Sequence, residues 1–204
     1  MLRNLEGNLI RCCICNIVPT KTVNGMKTNI TRILTNKKQF LDLLLLGDEQ
    51  ESMINRYLER GEMFVLEENG IKAVCVVTDE GEGTCELKNI AVVPNAQRQG
   101  YGKELINFLI TYYSGKYDRM LVGTGDVPST IAFYLHCGFT YSHRVENFFI
   151  THYDHLIIED GIQLKDMVYL KYVMNKSFSI RAAQQSDAIE LKDLFQNTVL
   201  SVNR

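Results

Sequence analysis

Two glycines one residue apart mark the stretch of this chain best suited to chemistry: Gln97-Arg98-Gln99-Gly100-Tyr101-Gly102, followed by Lys103. Glycine lets a backbone approach a ligand closely and adopt angles closed to other residues. A helix that starts here leaves its first N–H groups unpaired and converging on one point. The helix dipole, with Arg98 and Lys103 nearby, makes that point attractive to an anion, and a pyrophosphate suits it. On glycine spacing alone a plain turn flanked by solvated basic side chains stays equally open. Two nucleotide motifs are excluded: there is no Gly-Lys-Ser/Thr after four intervening residues, and no triple-glycine fingerprint opening a βαβ unit.

The elements that must position this loop follow from periodicity. Thr28 to Thr35 is rich in β-branched residues and reads as a first strand, and the run from Lys37 to Gly61 has helical spacing broken at Gly47, giving two helical pieces. Residues 62–68 and 71–80 read as strands joined by Asn69-Gly70, a pair suited to a type I′ turn, and a second turn at 80–83 leads into a strand over 84–93. A helix begins at the glycine loop and places Leu105, Phe108, Leu109 and Tyr112 on one face. Residues 119–125 form a short strand, 129–139 a short helix closed by Gly138, and 143–153 and 165–174 two further strands. This order predicts an α/β (α+β) fold: a mixed, mostly antiparallel twisted sheet flanked by helices, with the central helix crossing between parallel neighbours.

With that order in place, the chain resembles the GNAT superfamily of acetyl-CoA-dependent N-acetyltransferases. The family signature Gln/Arg-x-x-Gly-x-Gly/Ala, after a strand ending in apolar residues and proline, is matched by Asn89 to Pro94 followed by 97–102. A second family run, Phe-Tyr-x-x-x-Gly-Phe, is matched by Phe133-Tyr134-Leu-His-Cys-Gly138-Phe139. The resemblance covers about residues 28 to 174. It implies that the backbone of Ile90, Ala91 and Val92 pairs with the pantetheine arm of acetyl-CoA as an added strand would. It also implies that Gln97, Arg98, Gln99, Gly100, Tyr101, Gly102 and Lys103 form the pyrophosphate site. Where the family often has Asn, this chain has Gly125-Asp126-Val127-Pro128-Ser129; Ser129 either contacts the cofactor or caps the helix, and the cap is the favoured expectation.

The resemblance also suggests roles for two side chains. Tyr134 matches the tyrosine near the thioester sulfur proposed as general acid, the alternative being a tyrosine packed in the core. Glu86, on the strand leading to the loop, stands where some members carry a glutamate acting as base through water, the alternative being a solvated side chain. An oxyanion donor is expected at the backbone N–H near Val92. His152, Tyr153 and His155, in a loop with Asp154, Glu159 and Asp160, are candidates for contact with a cationic amine. The implied reaction is acetyl transfer to a primary amine of a small molecule or peptide by direct attack in a ternary complex. A catalytically silent acyl-CoA-binding sensor or partner module is the alternative.

Composition excludes other classes. The 204 residues are 46% hydrophobic, with 22 basic and 24 acidic residues and a net charge of −2, so no nucleic-acid or membrane partner is expected. The stretch around Phe40 to Leu46 is far too short for a membrane span, and the N-terminus lacks the apolar run of a signal peptide, which suggests a cytoplasmic protein. Cys75, Cys85 and Cys137 read as buried thiols; Cys12, Cys13 and Cys15 lack a fourth ligand, so no metal is expected. Residues 1–25 read as an N-terminal appendage, 26–175 as the catalytic domain and 176–204 as a strand-helix extension. The extension, with Ile189, Leu191, Leu194 and Phe195, resembles the start of another domain of the same family and suits an interface, for instance in a homodimer.

Overall fold

A computed structural model of the chain describes residues 22–23 and 26–174, with side chains from Thr28 onward. Cys12, Cys13, Cys15 and the extension 176–204 lie outside the described residues, as does most of the 1–25 segment. Seven strands form one sheet: β1 (Asn29–Ile33), β2 (Glu62–Glu67), β3 (Ile71–Gly81), β4 (Thr84–Val92), β5 (Arg119–Gly125), β6 (Thr140–Val145) and β7 (Met167–Val173). Their order is β1-β2-β3-β4-β5-β7-β6. Every pairing is antiparallel except β4 with β5. That parallel pair is joined by the crossover helix α3 (Tyr101–Tyr113), as a parallel connection requires.

Burial on both faces explains the unbroken apolar runs of β2 and β3. Alternate residues Phe64, Leu66, Cys75 and Val77 pack with Leu105, Ile106, Leu109 and Tyr113 of α3 and with Tyr134 of α4 (Pro128–His136). The intervening Met63, Val65, Val74 and Val76 pack on the opposite face with Leu44, Ile54, Tyr57 and Leu58. These last four come from the region of α1 (Leu41–Leu44) and α2 (Glu51–Ile54), the two helical pieces separated at Gly47. The Asn69-Gly70 turn has φ of 51° and 104°, as a type I′ turn demands. Cys75, Cys85 and Cys137 are free and buried.

One segment departs from its expected structure. The strand expected over 143–153 ends at Val145; Asn147, at φ 55°, turns the chain into a short helix, α5 (Phe148–His152). Phe149 is buried against Val127, Ile157 and Leu164 while Ile150 faces solvent, so the run buries one side in a helical turn. A two-residue ladder, Ile158–Glu159 with Ile162–Gln163, follows it.

Candidate functional site

The glycine loop is built as its residues dictate. Pro94 opens a short 3₁₀ turn after β4, Arg98 has φ 60°, and Gly100, the residue before α3, has φ 96°. Glu104 N–H is the donor that reaches the Gly100 carbonyl, at 2.9 Å, so the preceding amides have no acceptor inside the helix. A Cβ placed on Gly100 would meet nothing within 4 Å, whereas one on Gly102 would lie 3.3 Å from the Phe133 ring. Gly100 therefore borders open space and Gly102 permits the close packing of α3 on α4. Two glutamines brace the loop, Gln97 on the Val92 carbonyl at 3.3 Å and Gln99 on the Asn95 carbonyl at 2.9 Å. The Tyr101 hydroxyl donates to Glu68.

Beside this cradle the sheet divides. β4 and β5 pair only over Thr84–Leu87 with Arg119–Val122. On its other side β4 stays paired with β3, but Val77 faces Leu87 and Val76 faces Asn89, leaving Lys88 as an extra residue in a bulge. Beyond it, the edge of Ile90, Ala91 and Val92 that faces β5 carries no strand ladder among the described residues. Beside it lies a cavity of about 490 Å³ whose lining includes Ile90, Gly123, Tyr134, the Gly47–Glu49 loop and Tyr153.

Tyr134 and Glu86 both line this cavity. The Tyr134 ring is buried between Phe133 and Phe139, at centroid distances of 5.2 and 5.8 Å. Burial pushes its phenol above the ordinary value, so it holds its proton at neutral pH. Among the described residues no hydrogen bond to its hydroxyl is found. Glu86 is 8% exposed, not a solvated side chain. Its carboxylate lies 2.7 Å from Lys88 Nζ, which is also 3.6 Å from Glu80. The Tyr169 hydroxyl bonds Glu86 as well, and burial followed by that negative charge pushes the Tyr169 phenol up.

Ser129 does not cap α4. Val127 occupies the capping position, Pro128 takes the first turn, and the Ser129 hydroxyl donates to Asp160 at 2.5 Å. Proline has no N–H to be capped, which moves the helix start ahead of Ser129. Of the three candidate acceptor contacts, Tyr153 reaches the cavity wall. His152 stacks on Phe148 and His155 pairs with Asp154 at 2.6 Å, both outside the cavity lining.

Further polar residues on the cavity wall complete the site. Asp48 accepts from the Tyr153 hydroxyl at 3.0 Å and from the Tyr57 hydroxyl at 3.2 Å. Burial pushes its carboxyl above the usual range. The Asn89 amide donates to the Leu44 carbonyl at 2.9 Å and to Tyr57 at 3.0 Å. The one signal of this group in the chain is the Gly47-Asp48 break between helical pieces.

A helix start with open space beside Gly100, next to a divided parallel strand pair and a cavity lined by the buried Tyr134, makes up the candidate site. Comparison with known proteins gives the class. The profile for the acetyltransferase (GNAT) domain matches residues 59–141. The N-acetyltransferase YvbK of Bacillus subtilis, itself uncharacterised, is 36% identical, aligned over 72% of this chain and 97% of its own length. A GNAT family acetyltransferase from Elizabethkingia anophelis, solved with acetyl-CoA bound, is similar at 32% identity and a TM-score of 0.68, over 72% of this chain and 97% of that one. A Bacillus subtilis acetyltransferase in complex with CoA is similar at 33% identity and 0.66, over 72% and 98%. The chain belongs to the GNAT acetyltransferase family.

Proposed function

We propose that this chain is an N-acetyltransferase that passes the acetyl group of acetyl-CoA to a primary amine of a small molecule or peptide, by direct attack in a ternary complex. The observation that carries this reading is the protonated Tyr134 hydroxyl on the wall of the cavity into which the divided strands open. The residues present fit the co-substrate: the space beside Gly100 is open, and the amides from Gln99 to Lys103, with Arg98, offer donors and charge to a pyrophosphate. The unladdered edge of Ile90 to Val92 offers backbone groups to a pantetheine arm.

Bound there, acetyl-CoA supplies a thioester as acyl donor. Tyr134 Oη holds the proton that a departing thiolate needs. Glu86 is the carboxylate placed to accept a proton from the incoming amine through water, with Lys88 fixing its position. The amide near Val92 is an oxyanion donor that needs no side chain. Thiol release from acetyl-CoA, measured against a panel of primary amines, tests the proposal; tight cofactor binding with no turnover on any amine would favour a silent binding module instead.

A further inference from the structure

Glu86 stands on β4, and the ring that reaches its carboxylate starts two strands away. In the sheet order β4-β5-β7, Glu86 pairs with Leu121 of β5 and Tyr169 of β7 pairs with Gly123 of β5. Paired residues share a face of the sheet, and so do residues two apart on one strand. Glu86 and Tyr169 therefore project on the same side, separated by two strand spacings, about 10 Å, with β5 between them.

Position 123 decides whether the ring can cross. A Cβ placed on Gly123 would come within 3.1 Å of Tyr169 Cε1 and Cζ and within 2.6 Å of Met167 Sδ. Gly123 lies inside β5 and its φ is not positive, so no turn demands glycine there. What the missing side chain provides is room. The ring carbon that bears the hydroxyl rests against the bare glycine, and the hydroxyl passes β5 to bond Glu86. From the other side of β7, His143, the partner of Tyr169 on β6, stacks on the same ring at a centroid distance of 4.5 Å and an interplanar angle of 5°. Lys88 is a different kind of support for Glu86: its stem is flexible, and its ammonium is shared with Glu80 at 3.6 Å.

We propose that Tyr169 is a positioning residue for the proton acceptor: its hydroxyl holds the Glu86 carboxylate at the cavity wall, and Gly123 is glycine so that the ring can cross β5 to do so. This rests on the transferase reading above. Glu86, Gly123 and Tyr169 all line the cavity with Tyr134. A carboxylate offers about four lone-pair sites, so Tyr169 and Lys88 leave it able to accept from a water or an amine. Such an acceptor must stay within hydrogen-bond reach of its proton, and a displacement of about 1 Å can cost about a hundredfold in rate.

Two measurements on the full chain separate this role from plain packing. The first needs no acceptor amine. With tyrosine labelled with carbon-13 at Cζ, the resonance missing from Tyr169→Phe belongs to Tyr169; Glu86→Gln moves it and lowers the pH at which it titrates, because burial remains but the negative charge beside the phenol is gone. The second is thiol release from acetyl-CoA with a panel of primary amines that includes ethanolamine, spermidine and a lysine-containing peptide. With the amine that turns over fastest, Tyr169→Phe lowers kcat about tenfold, the scale of one hydrogen bond to a charged group, and leaves acetyl-CoA affinity unaltered by calorimetry. In a Glu86→Gln background the same change costs little more, since the hydroxyl then has no carboxylate to hold. Should Tyr169→Phe fail to fold, Gly123→Ala, which crowds the ring instead, gives the same loss of kcat. A Tyr169 resonance indifferent to Glu86→Gln, an unchanged kcat in Tyr169→Phe, or a tenfold loss that persists in the Glu86→Gln background overturns this inference and leaves the transferase reading in place. Acetyl-CoA binding without thiol release to any amine overturns the transferase reading, and the role of Tyr169 with it.

Discussion

Tyr134 is a packed ring and the proposed proton donor, and the two roles can be separated at a single atom. Tyr134→Phe keeps the contacts with Phe133 and Phe139 and removes only the hydroxyl on the cavity wall. Turnover is expected to fall by roughly ten- to a thousandfold, the range of general acids, with acetyl-CoA affinity little changed. Equal losses in both, with a lower melting temperature, would make the hydroxyl structural. Asp48 supports a prediction about pH. Burial raises its carboxyl in the folded state, so folding favours its protonated form, and that contribution is lost as pH rises from the ordinary carboxylate range, about 4, through the raised folded value. The melting temperature of Asp48→Asn relative to wild type is therefore expected to climb with pH above about 4; a flat difference would refute the burial argument. The two residues differ in legibility. Tyr134 stands inside a short run that can be read locally, whereas Asp48 meets Tyr153 across 105 positions, a contact no local pattern encodes.

At the scale of elements, the start of α3 is the one most exposed to test. Gly100→Asp introduces a side chain at φ 96°, where L residues are strained, and it points a carboxylate into the space assigned to pyrophosphate. Since that space is otherwise open, no clash with the protein is expected. Acetyl-CoA affinity should fall at least about tenfold from like-charge repulsion, as calorimetric titration would show; affinity retained within a few-fold would mean the loop is misassigned. The helical pieces over the other face depend on Lys37. It is buried, and its ammonium donates to the carbonyls of Leu58, Glu59 and Gly61 at 3.0, 2.8 and 2.7 Å, closing the chain end that follows α2. Lys37→Met fills the same volume but leaves those acceptors bare, so a loss of about 2 kcal/mol in denaturant unfolding is expected with acetyl-CoA affinity preserved. Equal stability would show that the carbonyls find water. A lysine reads in sequence as surface, which hides this role. The same limit applies to α5: Phe-Phe-Ile has the composition of a strand, and only the positive φ of Asn147 and the buried Phe149 make it a helix.

For the whole molecule, alternation and turn residues reveal the strands and the parallel crossover, but not that β7 enters the sheet between β5 and β6. That placement rests on pairings such as Val168 with both Thr124 and Arg144, which are long-range. It has a consequence for the domain boundary. Among the described residues β7 at Met167–Val173 is the last strand of the sheet, and 72% of this chain spans 97% and 98% of the two solved relatives. We therefore propose that residues 176–204 are an addition to the catalytic domain that its site does not require. Deleting residues 177–204 is expected to leave acetyl-CoA affinity and turnover unchanged while altering the light scattering of the protein, because Leu191, Leu194 and Phe195 suit an apolar association surface. A truncated protein that is folded and soluble but no longer binds acetyl-CoA would place the extension within the catalytic domain and move the boundary beyond residue 175.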